Sequence, residues 1–344
     1  MAVNTGQTAP DNDWLASLEE SILEPDIAIV DPHHHLWLRN GYTYLLPEFA
    51  ADIASGHNIV ASVFAECHSM YRRSGPEVLR SLGETEFFCG QSAMATSGTF
   101  GVVSGCDVMF GNVDLMLGDA IEPLLEAHLE ASAGRFRGVR ISTGWHPHEN
   151  VHNVVEMPHV LLNPKVKEAA AVLDRMALTL DCWVYHTQLD EVIDLADAYP
   201  NLTIILNHAG SPILGGPYRG KVDDVFADWQ ARIGRLGERE NVFVKLGALP
   251  IRMPGYQGDR TLPPSSQEVA AAWQPWIDTC IDAFSPARSM YESNFPVQKR
   301  WCSYQVCWNA FKRISLGASV VEKRNLFAGA AVHAYRMGVD FEQY

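Results

Sequence analysis

Two histidines that follow a short apolar segment are the clearest candidates for chemistry in this sequence. Residues 27–30 are Ile-Ala-Ile-Val, which predicts a buried strand, and His33 and His35 come soon after it. In an extended chain, residues two apart point to the same side, so His33 and His35 face one point while His34 faces away. Two such imidazoles can bind a metal ion or transfer protons. Because burying both without partners costs free energy, we interpret them as part of a functional site rather than as packed core groups.

Ionisable side chains also end most of the other predicted strands. Short apolar and β-branched runs predict these strands at residues 59–66, 101–106, 136–141, 177–186, 202–206, 242–246 and 289–292. The side chains at or just after their ends include Glu66, His68, Arg140, His186, His208, Lys245, Glu292 and Asn294. Polar residues that simply mark where a strand leaves the core would explain any one of these positions. Four strand ends with His, in a chain with 13 His, are better explained by one shared site.

Segments with helical periodicity separate most of these strands. They are predicted at residues 14–23, 45–54, 76–82, 119–133, 164–176, 190–198, 225–236, 268–284, 304–314 and 319–337. Strands that alternate with helices pair in parallel, and eight such units predict an α/β fold, a (β/α)8 TIM barrel. The site of such a barrel lies at the C-terminal ends of its strands. We expect a single barrel domain at residues 26–344 after an N-terminal extension at residues 1–25.

The bulk composition narrows the classes of function. A net charge of −15 over 344 residues argues against a nucleic acid or an anionic membrane as partner, because both require a basic surface. The seven cysteines are scattered and odd in number, which indicates reduced thiols in a cytoplasmic protein. We expect no signal peptide, and we find no candidate membrane span, dinucleotide motif or P-loop in the sequence. We therefore expect a cytoplasmic protein with a small-molecule substrate, and a homodimer because dimers are the commonest soluble oligomers.

Three motifs spread over the predicted barrel carry a resemblance to a known family. Residues 31–37 (DPHHHLW), 207–212 (NHAGSP) and 292–297 (ESNFPV) follow the first, sixth and eighth strands. They resemble D-x-H-x-H-x-W, H-x-G-x-P and G-S-D-W-P-V of the amidohydrolase superfamily, in particular the amidohydrolase-2 branch. This branch includes the 2-pyrone-4,6-dicarboxylate lactonases and related sugar-acid lactonases. Residues 136–140 (FRGVR) are similar to a family strand in which an Arg can bind a substrate carboxylate.

The resemblance implies a hydrolytic site at the top of the barrel. In metal-dependent members, the residues that correspond to His33, His35, His186 and His208 hold a divalent ion, here zinc or manganese, together with a strand-eight Asp. In the lactonase branch a metal is often not required; that Asp activates water and the His residues polarise the carbonyl. This sequence departs from the family at Asn294, because an amide cannot take a proton from water.

Another side chain must therefore activate water if the protein is a hydrolase. Glu66 is the best candidate, since a mostly apolar strand could raise its pKa toward neutrality. A second role for Glu66, weighted equally, is an ion pair with Arg72 or Arg140. Glu292 is a weaker candidate, because we expect it in the wall of the barrel.

Five residues are candidates for substrate binding. Arg140 has the geometry to clamp a carboxylate through two parallel hydrogen bonds, or it forms a structural ion pair. Lys245 could hold an anion or act as a Schiff-base nucleophile, but a structural charge partner is the commoner role. Trp37 and Trp145 would favour a planar or ring substrate, and His68 completes the set. The loop histidines at 146, 148, 152 and 159 are expected to be solvated.

Three functions remain open. The favoured one is hydrolysis of a cyclic ester or related carbonyl compound that bears a carboxylate. The second is a metal-dependent decarboxylase or C–C bond hydrolase, and the third is a barrel that binds a ligand without catalysis. The candidate catalytic residues are His33, His35, Glu66, His186, His208 and Asn294.

Overall fold

Eight parallel strands form one sheet whose strand order follows the chain. The computed structural model describes residues 9–39, 41–101, 105–249, 261–339 and 341. The strands are β1 (Ala28–His34), β2 (Asn58–Ala65), β3 (Val108–Gly111), β4 (Phe136–Ser142), β5 (Thr179–Trp183), β6 (Ile204–Leu206), β7 (Val242–Leu246) and β8 (Ser289–Tyr291). Each strand pairs in parallel with the next one along the chain. The predicted (β/α)8 barrel is confirmed.

Backbone hydrogen bonds close the barrel between β1 and the segment that follows β8. The Asn294 N–H donates to the carbonyl oxygen of His33 at 2.9 Å. The His35 N–H donates to the carbonyl oxygen of Phe295 at 2.7 Å. These bonds bring the first and last sequence motifs side by side at the C-terminal end of the barrel.

Helices cover the outside of the sheet. The α-helices are Asn12–Ala16, Leu46–Ile53, Leu82–Thr96, Glu122–Ala131, Pro164–Arg175, Leu189–Ala198, Val222–Gly237, Ser266–Phe284, Tyr304–Ile314, Val320–Arg324 and Ala330–Ala334. In Val222–Gly237, the buried residues Val225, Trp229, Ile233 and Leu236 recur every three to four positions, so one stripe of the helix faces the core. A short antiparallel hairpin, Trp37–Arg39 with Tyr42–Tyr44, follows β1. Among the described residues, no helix has the length and apolar character needed to cross a membrane.

The helix Ala330–Ala334 and the following Tyr335 cover the end of the barrel opposite the strand ends that carry the sequence motifs. Ala330–Ala334 and the residue Tyr335 belong to one buried cluster with side chains of several strands, including Val63, Phe110 and Met290. The rings of Phe110 and Tyr335 stack with their centroids 5.9 Å apart. The interior of the barrel is therefore a packed core with the functional end at the opposite side.

The third strand lies later in the chain than the sequence predicts. The prediction was residues 101–106, of which 102–104 lie outside the described residues. Cys106 has a φ of 61°, a left-handed conformation that cannot continue a strand. The strand begins only at Val108, and its four residues are too short a run to give a strong signal.

The helix predicted at 319–337 is divided by a π-helical segment, Asn325–Gly329. Three further predicted helices differ more strongly from the observed ones. The predicted helix at 14–23 is limited to Asn12–Ala16. The one at 119–133 begins only at Glu122, after a 3-10 segment whose Gly118 has a φ of 65°. The one at 76–82 is a single 3-10 turn, and Leu82–Thr96 forms the α-helix instead. That helix buries small and polar side chains such as Thr85 and Ser92, so its apolar periodicity is weak.

Candidate active site

A carboxylate between two imidazoles forms the centre of the site. Glu292, which directly follows β8, is fully buried. Its Oε1 lies 2.6 Å from Nδ1 of His208, and its Oε2 lies 3.0 Å from Nδ1 of His33. The two imidazole centroids are 4.8 Å apart. With the proton of the His208 hydrogen bond assigned to Nδ1, the neutral form of that ring has its lone pair on Nε2. Nδ1 of His33 also lies 3.2 Å from the Lys245 ammonium, which can only donate.

The local backbone explains how this cluster fits together. His208 follows β6 in a left-handed conformation with φ of 55° and ψ of 41°, which turns its ring toward β8. Gly247, just after β7, leaves space for Glu292. A Cβ at position 247 would lie 2.4 Å from the carbonyl oxygen and 2.5 Å from Cγ of Glu292. Only glycine at this position lets the carboxylate reach its observed place.

His35 and Asn294 form a second contact beside this centre. Nδ1 of His35 lies 2.9 Å from the carbonyl oxygen of Ala65, which can only accept, so this nitrogen carries the proton. Nε2 of His35 lies 3.2 Å from the side-chain amide of Asn294. Burial, followed by the charge of Arg140, lowers the pKa of His35 well below its usual value. Burial, followed by Lys245, does the same for the pKa of His33. Both rings are therefore neutral.

His34 points away from this site, as the strand period predicts. Its ring stacks on Phe49 with 4.0 Å between the centroids, and its Nε2 lies 2.9 Å from the Ser62 hydroxyl. The same-side orientation of His33 and His35 is visible in their ring centroids, which are 4.9 Å apart. The local geometry inferred from the first motif is confirmed.

Lys245 and Asp181 form a buried charged pair under the site. Neither side chain is exposed, and the Lys245 Nζ donates to Asp181 Oδ1 at 2.9 Å. Asp181 also accepts hydrogen bonds from the Asn207 amide at 2.8 Å and from the Tyr335 hydroxyl at 2.9 Å. Burial lowers the pKa of Lys245, and the charges of Asp181 and Glu292 oppose that shift. These contacts favour the structural charge partner over a substrate-binding role for Lys245.

Glu66 and Arg140 form a second buried pair at the ends of β2 and β4. The Arg140 Nε donates to Glu66 Oε1 at 2.7 Å, and its Nη2 donates to the Glu66 carbonyl oxygen at 2.6 Å. The remaining Nη1 lies 3.4 Å from Nε2 of His33. Burial alone would lower the pKa of Arg140, but Glu66 raises it above its usual value. The ion pair that the sequence left open as a second role for Glu66 is therefore present.

His186 stands apart from the central cluster. Its Nδ1 accepts the N–H of Ile213 at 3.2 Å, so the neutral ring carries its proton on Nε2 and presents no lone pair there. Burial lowers the pKa of His186 to about 4. The ring packs edge to face on Tyr218 at 5.3 Å. Its predicted role as a metal ligand stays a prediction, and this hydrogen bond does not favour it.

The predicted substrate-binding residues have different surroundings. Trp37 is buried and stacks on His35 with 5.8 Å between the ring centroids. The His68 side chain is half exposed, and its Nε2 lies 3.7 Å from Glu66 Oε2. Trp145 is half-buried and donates its backbone N–H to Gln188.

The long loop after β4 contains both buried and exposed histidines. His152 and His159 are exposed, as expected of solvated loop residues. The expectation is wrong for His146, which is buried and lies 3.2 Å from the Tyr218 hydroxyl. Burial lowers the pKa of His146, with the nearby His148 as a second cause.

Asp31 and Asp181 are two buried site residues to which sequence reasoning gave no role. Asp31 accepts from the hydroxyls of Ser293 at 2.5 Å and Tyr304 at 3.0 Å, which ties β1 to the turn after β8. Burial raises the pKa of Asp31 to about 6, although these hydrogen bonds oppose the shift. A signal for Asp181 exists in the sequence, since a lone acid inside an apolar strand needs a buried partner.

Three side chains at the centre have the arrangement of a metal site. Among the described residues, His33, His208 and Glu292 each offer one ligand atom, and these atoms lie within 4.8 Å of one another. Glu292 Oε2 is buried and makes no hydrogen bond of good geometry, so it has spare capacity as a ligand. Two imidazoles and one carboxylate are a donor set found in catalytic zinc sites. The residues present fit a zinc or manganese ion.

The family that the motifs resemble is confirmed by comparison with known proteins. The family model described as amidohydrolase matches residues 30–337, so the chain belongs to the amidohydrolase family. The uncharacterized protein y4mH of Sinorhizobium fredii is 30% identical over an alignment of 336 positions, which covers 91% of this chain and 99% of that protein. L-fucono-1,5-lactonase of Burkholderia multivorans is 27% identical over 158 residues, which are 46% of this chain and 51% of that protein.

Two solved structures share the fold and contain metals. An amidohydrolase of Burkholderia multivorans with bound zinc has a TM-score of 0.64 at 20% identity, over 90% of this chain and 99% of that one. A 5-carboxyvanillate decarboxylase of Novosphingobium aromaticivorans, in complex with manganese, has a TM-score of 0.55 at 13% identity, over 91% of this chain and 97% of that one.

Proposed function

We propose that this amidohydrolase hydrolyses a cyclic ester that carries a carboxylate. The observation that carries the proposal is the position of Glu292 between His208 and His33, at the C-terminal end of the barrel. A buried carboxylate that orients an imidazole is the arrangement by which hydrolases accept a proton from a nucleophile. The partial similarity to a lactonase supports a cyclic ester as the substrate class.

His208, Glu292 and Arg140 have different roles in this reaction. A water molecule attacks the ester carbonyl, and Nε2 of His208 takes its proton. The 2.6 Å contact from His208 Nδ1 to Glu292 then stabilises the imidazolium. The Arg140 guanidinium, held by Glu66, supplies positive charge next to His33 as the oxyanion develops.

A divalent ion would activate water in another way, because an imidazole nitrogen that binds a metal cannot also take a proton from water. His33, His208 and Glu292 would hold zinc or manganese, which polarises a carbonyl and lowers the pKa of bound water to about 7. The same donor set supports a second candidate function, a metal-dependent decarboxylase or C–C bond hydrolase. The fold that this chain shares with a manganese-containing decarboxylase also supports this second candidate.

A lactone panel with one matched pair of variants tests the proposal. We expect the protein, assayed with and without added zinc or manganese, to hydrolyse aldonolactones or 2-pyrone carboxylates. Glu292→Gln keeps the side-chain shape but removes the negative charge that stabilises the His208 imidazolium, so activity should fall about 10²- to 10⁴-fold. Glu126→Gln, an exposed position on an outer helix, is the control and should keep full activity.

Two results would contradict the proposal. If Glu292→Gln hydrolyses lactones as fast as the wild type, Glu292 has no role in the reaction. Absence of lactone hydrolysis together with release of CO₂ from carboxylated phenols, abolished by a chelator, would establish the decarboxylase instead.

A further inference from the structure

Glu66 already engages Arg140, so the side-on pair of donors that would clamp a substrate carboxylate is occupied. Glu66 occupies Nε and Nη2 of Arg140 through its carboxylate and its carbonyl oxygen, and the remaining Nη1 faces His33. A cation that no acidic group engages is therefore a better partner for the anionic group of the proposed substrate.

Arg39 lies on the same side of the same chain segment as the catalytic histidines. Alternate residues from β1 into the following hairpin, namely His33, His35, Trp37 and Arg39, form one row. The centroids of His33 and His35 are 4.9 Å apart, and those of His35 and Trp37 are 5.8 Å apart with nearly parallel rings. The guanidinium carbon of Arg39 lies 4.8 Å from the centroid of Trp37. The first three side chains are buried and Arg39 is half-buried, so the row leads from the reacting centre toward the surface.

The charge of Arg39 has no acidic partner in the described part of the chain. Its contact there is the face of Trp37, which attracts a cation only weakly compared with a carboxylate. Lys299, another cation near the hairpin, is by contrast paired with Asp52 at 2.7 Å. An arginine with one stacked face keeps its N–H fork available for an anion.

Spare hydrogen-bond donors surround the same position. Nε1 of Trp37 has no hydrogen-bond partner among the residues that the structure describes, and only 1% of Trp37 is exposed. The hydroxyl of Tyr42 also lacks a hydrogen-bond partner within the described ranges, and the Tyr42 ring packs edge to face on Trp37 with 5.9 Å between the centroids. Burial, with the negative charge of Asp52, raises the pKa of Tyr42, so this hydroxyl stays a donor. Buried donors without a partner are costly unless a ligand completes them.

We propose that Arg39 binds the carboxylate of the substrate and makes the site prefer anionic over neutral lactones. Trp37 lies between Arg39 and His35 and offers its donor to the same substrate group. This inference rests on the proposed function, because it assumes that the substrate occupies the site next to His35. It assigns the anion-binding role to a residue of the hairpin rather than to Arg140.

The test compares two ligands that differ in one charge. The two ligands are coumalate (2-pyrone-5-carboxylate) and 2-pyrone. The affinity of the protein for each is measured as KM if the ligand is hydrolysed, and as a calorimetric Kd if it is not. In the wild type we expect coumalate to bind more tightly. Arg39→Gln should weaken coumalate about 10- to 100-fold, the range for a charge-assisted hydrogen bond, with kcat and the affinity for 2-pyrone unchanged. Arg39→Lys keeps the charge but not the planar pair of N–H donors. Its affinity for coumalate should therefore lie between that of the wild type and that of Arg39→Gln.

The control is Arg175→Gln, which removes the same charge from an exposed ion pair with Glu122 on an outer helix. It should leave the preference for coumalate unchanged. The inference is overturned if the wild type does not prefer coumalate, or if Arg39→Gln weakens both ligands equally. Preferential, Arg39-dependent binding of coumalate without hydrolysis of any lactone would support the inference while refuting the proposed reaction.

Discussion

Glu66 and Arg140 depend on each other because both are buried. The side chains are 2% and 11% exposed, and the shortest distance between their charged groups is 2.7 Å. Arg140→Met should lower the free energy of unfolding by about 3–5 kcal/mol, since it leaves Glu66 as a buried unpaired charge. The double variant with Glu66→Met should recover most of that loss. Urea unfolding measures the free energy of unfolding of the single and the double variant.

An exposed ion pair serves as the control for this cycle. Arg175 and Glu122 are both substantially exposed, so Arg175→Met should change the free energy of unfolding by less than about 1 kcal/mol. Strictly additive losses in the Glu66 and Arg140 variants would contradict the dependence.

Glu84 is a buried carboxyl that holds the segment after β2. Its Oε1 accepts the backbone N–H groups of Cys67 at 2.9 Å and Ser69 at 2.8 Å, which fixes the turn that carries Glu66 and His68. Burial, reinforced by the charge of Glu66, raises the pKa of Glu84. The folded protein therefore holds this proton to a higher pH than the unfolded chain does.

A pH series tests the consequence for stability. A raised carboxyl pKa favours the folded state most below the ordinary pKa of Glu, and the benefit is lost as pH rises toward the folded pKa. Glu84→Gln keeps the acceptor but cannot ionise. The free energy of unfolding of this variant relative to the wild type should therefore be higher at pH 8 than at pH 5. A difference that does not change with pH would show that Glu84 ionises normally.

At the scale of elements, Gly247 at the end of β7 leaves the space that Glu292, at the end of β8, occupies. Gly247→Ala would place a Cβ 2.5 Å from Cγ of Glu292 and 2.4 Å from its carbonyl oxygen. We expect a loss of about 1–3 kcal/mol in the free energy of unfolding, with reduced activity because Glu292 is displaced. Thermal unfolding and the lactone assay measure the two effects.

Gly234 provides the matched control for this substitution. It lies in the helix Val222–Gly237, and a Cβ there would meet nothing within 4 Å. Gly234→Ala should stabilise the protein by about 0.5–1 kcal/mol, because alanine is the better helix former. Equal effects at the two positions would mean that the space around Glu292 is not tight.

Local patterns explain which elements the sequence could predict. Strand β7 and the helix Tyr304–Ile314 have the predicted bounds, because an apolar strand run and a helical periodicity are read within a few residues. The four-residue β3 and the helix Leu82–Thr96, with its small buried side chains, lack such signals.

The same distinction applies to the site. The shared side of His33 and His35 follows from the period of one strand and was predictable. The place of Glu292 depends on the register between β1 and the segment after β8, which no local pattern encodes. Glu292 was correctly expected to be buried, but its contacts with His208 and His33 could be seen only in three dimensions.

At the scale of the whole molecule, part of the N-terminal segment is attached to the barrel. The Leu23 N–H donates to the side-chain oxygen of Asn309 at 3.0 Å. The Asn309 amide donates to Glu20 at 3.1 Å and to the carbonyl oxygen of Ser21 at 3.0 Å. Asn309→Leu should lower the free energy of unfolding by about 1–3 kcal/mol, since it removes the hydrogen-bond partner of these partly buried groups.

Limited proteolysis checks where that loss occurs. Cleavage before residue 25 should become faster in Asn309→Leu, while the barrel stays resistant. Asn150→Leu, at an exposed loop position, is the control. If the rate of cleavage before residue 25 does not change in Asn309→Leu, the other contacts of the N-terminal segment are sufficient to keep it on the barrel.

The closure of the barrel has a consequence for synthesis of the protein. His35 and Asn294, which touch in the site, are 259 residues apart in the chain. A ribosome therefore releases seven strands before the residues that complete the site exist. Until then β1 and β7 present open edges, which invite pairing with other chains. A product of premature termination before β8 contains His33 and His35 but lacks Glu292 and the closing backbone hydrogen bonds, so we expect it to aggregate rather than to act as a weak enzyme.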